Sequence, residues 1–229
     1  MKKLYDYRGF RFSRLREPRF SHILLLISWP VYLLMYYITE NYIPYESCHI
    51  VHCRLDDLIP FCEYFALAYC FWYVYLAGSL LYYFLFDVEN FKKMQTYIII
   101  TQIVAMACYI IYPTRQELRP DAFVRDNFFT HVMAFIYDFD TSTGICPSLH
   151  VAYSLGIAST WLHDKEMPVW WKVFVSAAAL AICVSVCFVK QHSAVDVIAA
   201  IPVCILAEYL IFGKRITERK KNLPAGSET

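Results

Sequence analysis

Six long apolar stretches, at 21–39, 61–86, 96–112, 148–162, 168–189 and 194–212, alternate with short polar segments along the chain. A helix needs about 17–25 mostly apolar residues to cross a bilayer. Five of the stretches approach or reach that length. The stretch at 148–162 is shorter, and would have to start below the membrane surface or extend into its flanks. The pattern predicts an all-α, integral-membrane bundle of six transmembrane helices. Tyr36, Tyr37, Tyr82, Tyr83, Tyr112, Trp170 and Trp171 cluster near the ends of the stretches, where an apolar ring with a polar tip suits the membrane–water boundary.

Composition strengthens this reading. Of the 229 residues, 59% are hydrophobic and only 18% charged, against about 45–50% and about 25% in an ordinary soluble domain. That balance excludes a disordered chain, a collagen-like one and a long charged coiled coil. The formal net charge of +1 favours neither acidic nor basic partners, and no nucleic-acid partner is expected. The distribution of charge is more informative. Residues 1–20 carry Lys2, Lys3, Arg8, Arg11, Arg14, Arg16 and Arg19, and the tail carries Lys214, Arg215, Arg219, Lys220 and Lys221. Adding Lys92, Lys93 and Lys165 places fifteen basic residues on one side of a six-span bundle and five on the other. Lys and Arg concentrate on the cytoplasmic side, so both termini are expected to be cytoplasmic. The organisation is then a basic N-terminus (1–20), a six-span membrane domain (21–212) and a basic tail (213–229). No A-x-A-like site follows the first stretch, which is therefore expected to be a retained anchor. Most of the nine Cys lie inside apolar stretches as small hydrophobes.

Three polar clusters fall at the end opposite the basic termini. They are Tyr112-Pro-Thr-Arg-Gln-Glu-Leu-Arg119-Pro120, Cys146-Pro147-Ser148-Leu149-His150, and Lys190-Gln-His192-Ser-Ala-Val-Asp196. His192 and Asp196 are four apart, the spacing that brings two side chains together on one helical face. A carboxylate on one imidazole nitrogen fixes the tautomer and frees the other nitrogen to attack or to exchange a proton. An ionised Asp inside a span marks a functional site. His150 follows Pro147-Ser148 at a helix start, where free amides favour an anion. Arg119 adds a forked donor suited to phosphate. Two His, an Asp, an Arg and a helix N-terminus on one face fit phosphoryl transfer, which needs a nucleophile, an acid and charge stabilisation.

These residues resemble the type-2 phosphatidic acid phosphatase superfamily, whose pattern is K-x6-R-P, then P-S-G-H, then S-R-x5-H-x3-D. The resemblance runs from Tyr112 to Pro202. It is closest to the branch with inositol phosphotransferases and sphingolipid synthases, through Pro147-Ser148-Leu149-His150-Val151-Ala152 and His192…Asp196-Val197. The resemblance implies that His192 is the nucleophile that forms a phosphohistidine, that Asp196 orients it, and that His150 protonates the leaving oxygen and later activates the acceptor. It also implies that Arg119 and Ser148 hold the phosphate, with no metal or other cofactor. Three positions depart from the pattern. Tyr112 stands at the Lys, Leu149 at the Gly, and Val186 at the Arg after Ser185. Arg115 and Lys190 are the nearest substitutes for the missing cations.

The expected function is hydrolysis of a membrane lipid phosphate or diphosphate at the outer face of the cell membrane. The alternative is transfer of the phospho-headgroup to an alcohol, and a more remote one is a non-enzymatic membrane bundle; no protein partner is legible. In the first outer loop, Cys48-His49, His52-Cys53 and Cys62 are expected to be unbonded, with a disulfide or a metal as alternatives. Cys146 is expected to be a packed thiol, Glu63 and Glu208 interface or helix-pairing residues, and Asp138 and Asp140 a solvated loop.

Overall fold

The computed structural model describes residues 2–221, with side chains through residue 213. The end of the basic tail lies outside the described residues. The chain is helical almost throughout: α1 (Ser28–Tyr42), α2 (Arg54–Leu58), α3 (Ala66–Phe86), α4 (Val88–Ile111), α5 (Phe128–Phe139), α6 (Leu149–His163), α7 (Val169–Phe188) and α8 (Ala194–Lys221). Two short strands, β1 (His49–Ile50) and β2 (Thr114–Arg115), pair in parallel and tie the loop after α1 to the segment after α4.

Among the described residues, five segments are long and apolar enough to cross a membrane: Ser21–Tyr42, Glu63–Phe86, Val88–Ile111, Val169–Phe188 and Ala194–Gly213. The sixth stretch forms α6, which has 15 residues and at 1.5 Å per residue spans only about 22 Å. It is covered largely by protein: α6 packs on α3, α4, α7 and α8, and ten of its residues are buried. Among them Gly156 meets the Tyr97 ring. A Cβ there would sit 2.3 Å from Tyr97 Cδ1, and Tyr97 cannot swing away because its hydroxyl donates to the Cys204 carbonyl of α8. Gly156→Ala is therefore expected to destabilise the bundle by about 1–3 kcal/mol, the usual cost of overpacking. Thermal unfolding in detergent would show this as a lowered midpoint, and an unchanged midpoint would mean that Tyr97 has room to move.

Several boundaries differ from those the sequence suggests. Helix α4 begins at Val88, eight residues before the apolar stretch, because Asp87 caps it by accepting the Asn90 backbone N–H. Residues Ser21–Ile27 wind as 3-10 helix before α1. The α5 helix is absent from the hydrophobic pattern as a span because it is only 12 residues long. It exposes Phe128, Phe135 and Phe139 while burying Thr130 and Met133, and Asn127 with Thr130 forms its capping box.

The N-terminal segment is fastened to one end of the bundle. Lys2 Nζ bridges Asp87, between α3 and α4, and Asp164, at the C-terminus of α6 (2.6 Å to the latter). Phe212 of α8 stacks on His163 at that same end. Residues 2 and 212 thus lie at the end of the bundle away from the C-terminus of α4 and the N-termini of α6 and α8, where the candidate chemistry sits.

Candidate active site

The three polar clusters meet at that other end. The Ser148 N–H donates to the Asp196 carbonyl at 3.1 Å, Gln116 Nε2 to the Lys190 carbonyl at 3.0 Å, and Arg119 to Gln191 Oε1 at 2.7 Å. His192 lies in the turn between α7 and α8, two residues ahead of the helix. Its Nδ1 nevertheless lies 3.3 Å from Asp196 Oδ2. The reason is local. Ser193 caps α8, its hydroxyl accepting the Val195 N–H, while Asp196 Oδ2 reaches back to accept the Ser193 N–H at 2.9 Å. This reciprocal box fixes the carboxylate where it also meets His192, and an anion is favourable in the first turn of a helix.

His192 Nε2 points the other way, 3.4 Å from His150 Nδ1. Asp196 accepts the His192 Nδ1 proton, so Nε2 carries the lone pair and His150 Nδ1 is the donor. His150, in the first turn of α6, is held between the rings of Tyr69 (centroids 4.8 Å apart) and Trp72 (4.3 Å). The result is a linear relay, Asp196–His192–His150. The two imidazoles line a cavity of ≈ 330 Å³, together with Trp29, Tyr32 and Tyr36 of α1 and Trp72, Tyr73 and Leu76 of α3. The cavity reaches the surface between α1 and α3, where Leu33 and Tyr73 on its wall are more than half exposed.

The basic residues are arranged differently from the expectation that they reach a phosphate directly. Arg119 η1 donates to the Tyr137 carbonyl, and η2 to the Asp140 and Thr141 carbonyls and to Gln191. Its guanidinium also covers the Tyr137 ring. It caps the C-terminal end of α5 and steadies Gln191. Arg115 pairs with Glu117, donates to the Tyr45 carbonyl and stacks on the Tyr45 ring. Lys190 is held at φ 53, with Nζ on the carbonyls of Asp56 and Ile59. Ser148 is fully buried as the cap of α6, its hydroxyl accepting the Val151 N–H. His192, His150 and Asp196 are thus brought together; Arg119 touches the cavity wall through Gln191, and Arg115, Lys190 and Ser148 brace the loops around it.

Two carboxylates matter here that the sequence placed elsewhere or left unremarked. Asp140 is not in a solvated loop: it lines the cavity and accepts the Tyr36 hydroxyl at 3.0 Å. Burial pushes its carboxyl up, against the Tyr36 hydrogen bond and the nearby charges of His192 and Arg119. Asp56 of α2 lies behind the His192 turn, accepting the Ser193 hydroxyl (2.6 Å), the Ala194 N–H (2.8 Å) and the Cys53 N–H (2.8 Å). Burial raises its carboxyl, but these donors outweigh it and hold the group below the usual range. A depressed carboxyl contributes stability above its unfolded value, about 4, and that stability is lost as pH falls through the folded value. Asp56→Asn replaces one accepting oxygen by a donor among three donors. It is expected to cost about 1.5–3 kcal/mol, to lower turnover with it, and to flatten the acid side of the stability profile. A profile superimposable on the parent's would contradict the role. Burial and the neighbouring Asp196 carboxylate push the Cys146 thiol up to about 12, so it stays a packed, protonated thiol.

Comparison with protein-family models, curated proteins and solved structures finds no match to this chain.

Proposed function

We propose that the protein is a membrane-embedded phosphoryl-transfer enzyme of the type-2 phosphatidic acid phosphatase kind, acting on a lipid phosphate through a phosphohistidine. The observation that carries this reading is the Asp196–His192–His150 relay, with the His192 Nε2 lone pair turned toward His150 at the wall of a cavity that opens between α1 and α3. In this reading α6 completes six crossings, both termini are cytoplasmic in keeping with the Lys/Arg bias, and the site faces the outer leaflet. A lipid headgroup enters from the side while its tails stay among the apolar residues of α1 and α3.

His192 Nε2 attacks phosphorus. The bond to the leaving oxygen breaks, and that oxygen takes a proton from His150, which reacts as the imidazolium and is left as neutral imidazole. The phosphoimidazolium so formed is steadied by the Asp196 carboxylate on Nδ1. In the second half His150 takes a proton from water, the water oxygen attacks phosphorus, the P–N bond breaks, and phosphate leaves. An alcohol in place of water turns the same steps into headgroup transfer.

That second reading is favoured by one specific feature. The nearby cations are engaged on backbone carbonyls or on Glu117, while the Asp140 carboxylate lines the cavity. Such a site suits a singly charged phosphodiester better than a dianionic monoester. Purified protein should be offered a lipid phosphate monoester, a lipid diphosphate and a phosphodiester lipid, each with and without inositol. Free phosphate, or the free phosphorylated headgroup from the phosphodiester, as the main product supports hydrolysis; a soluble inositol phosphate carrying the transferred group supports transfer; and the absence of these products from every donor contradicts the proposal.

A further inference from the structure

We infer that the Gln191 side-chain amide is a phosphoryl-oxygen donor of this site, supplying a contact that the missing cations of the sequence pattern leave open. The inference rests on the phosphoryl-transfer reading and adds a residue to it. Gln191 is 3% exposed and lines the cavity next to His192. Its orientation is determined by chemistry. Arg119 can only donate, so the amide atom 2.7 Å from its η2 nitrogen is the acceptor Oε1, and Nε2 is the atom turned away from Arg119. That Nε2 is buried and has no hydrogen-bond partner. A buried donor without an acceptor is costly, so one held in place by a guanidinium on the wall of this largely aromatic cavity is a donor awaiting a ligand oxygen. Trp72 Nε1, on the same cavity wall, is buried and unpartnered too.

The backbone makes the placement firm. The N–H groups of Gln191 and His192 both donate to the Val186 carbonyl at the end of α7, at 3.0 and 3.1 Å. The donor and the nucleophile therefore move as one unit. Arg119 acts through the amide: its charge polarises the Gln191 carbonyl and strengthens Nε2 as a donor, while its η nitrogens are otherwise engaged on the carbonyls of Tyr137, Asp140 and Thr141. A neutral donor of this sort favours a phosphate of low charge, in line with the scarcity of free cations around the cavity.

Two substitutions of different chemistry test this. Gln191→Met keeps the length and removes the donor; Gln191→Glu keeps the shape and puts an acceptor there. Each is compared with the parent for thermal unfolding in detergent, for turnover of the best lipid donor, and for inhibition by orthovanadate, a phosphoryl mimic. The expected result is an unfolding midpoint near the parent's in at least one variant. In that variant kcat/KM falls by about a hundredfold or more, and orthovanadate inhibits about tenfold or more weakly. Parent-like kcat/KM in a folded variant overturns the inference, as does lost turnover with parent-like orthovanadate inhibition, which would make Gln191 a structural residue. Failure of both variants to fold overturns it as well, since a residue needed for folding explains the burial without a ligand. Absence of turnover in the parent protein would instead bring down the enzymatic reading itself.

Discussion

His192→Ala is expected to abolish phosphate release or headgroup transfer, lowering turnover by at least about ten-thousand-fold, as loss of a covalent nucleophile does. The fold should survive. His192 is a turn residue whose backbone N–H, held by the Val186 carbonyl, is retained in Ala, and the Ser193–Asp196 capping box does not use the imidazole. The substitution leaves Asp196 beside a small gap, so a modest fall in the unfolding midpoint is compatible with the account. Turnover within tenfold of the parent would rule out a covalent role for His192.

The second large effect is expected at His150. As the acid of the first step and the base of the second, it contributes on the order of a hundred- to ten-thousand-fold. The two steps need it unequally. A lipid alkoxide is a poor leaving group and needs a proton, whereas an aryl phosphate leaves without one. With an aryl phosphate as donor, His150→Ala should therefore form the phosphoenzyme at a rate near the parent's, then stall, because no base is present to activate water. Rapid-quench measurement should show one equivalent of aryl alcohol released in a burst, followed by a slow phase. Equal slowing of both phases would contradict this division of labour and point to a shared structural role, such as the packing of His150 between Tyr69 and Trp72.

The parts of this site that were legible in the sequence are those set by short-range spacing. His192 and Asp196, four apart, do meet, although through a capping turn rather than along one helical face. Ser193-x-x-Asp196 carries the pattern of that box, so the turn itself had a signature. The apolar stretches mark the core helices, but burial by protein and burial by lipid look alike in composition, so the stretch that forms α6 does not reveal in sequence how much of it protein covers. Charge was the least transferable signal. Arg119, Arg115 and Lys190 are basic residues at the right end of the bundle, yet each donates to backbone carbonyls, and a carbonyl acceptor leaves no trace in residue type. Asp56 and Asp140 come to the site across 137 and 52 residues from Ser193 and His192, a juxtaposition that only the packing of α2 and α5 creates. Gln191 had one local sign, its place inside the polar run Lys190-Gln-His192-Ser193 between two apolar helices.

The covalent intermediate itself can be trapped and located. Purified protein and its His150→Ala variant are mixed with radiolabelled phosphatidic acid, quenched in base, where phosphohistidine is stable, and digested for peptide mapping. The account predicts label on the peptide containing residue 192, more of it in His150→Ala than in the parent, and none after His192→Ala. Turnover with no protein-bound label in either protein, or label that persists in His192→Ala, would contradict it.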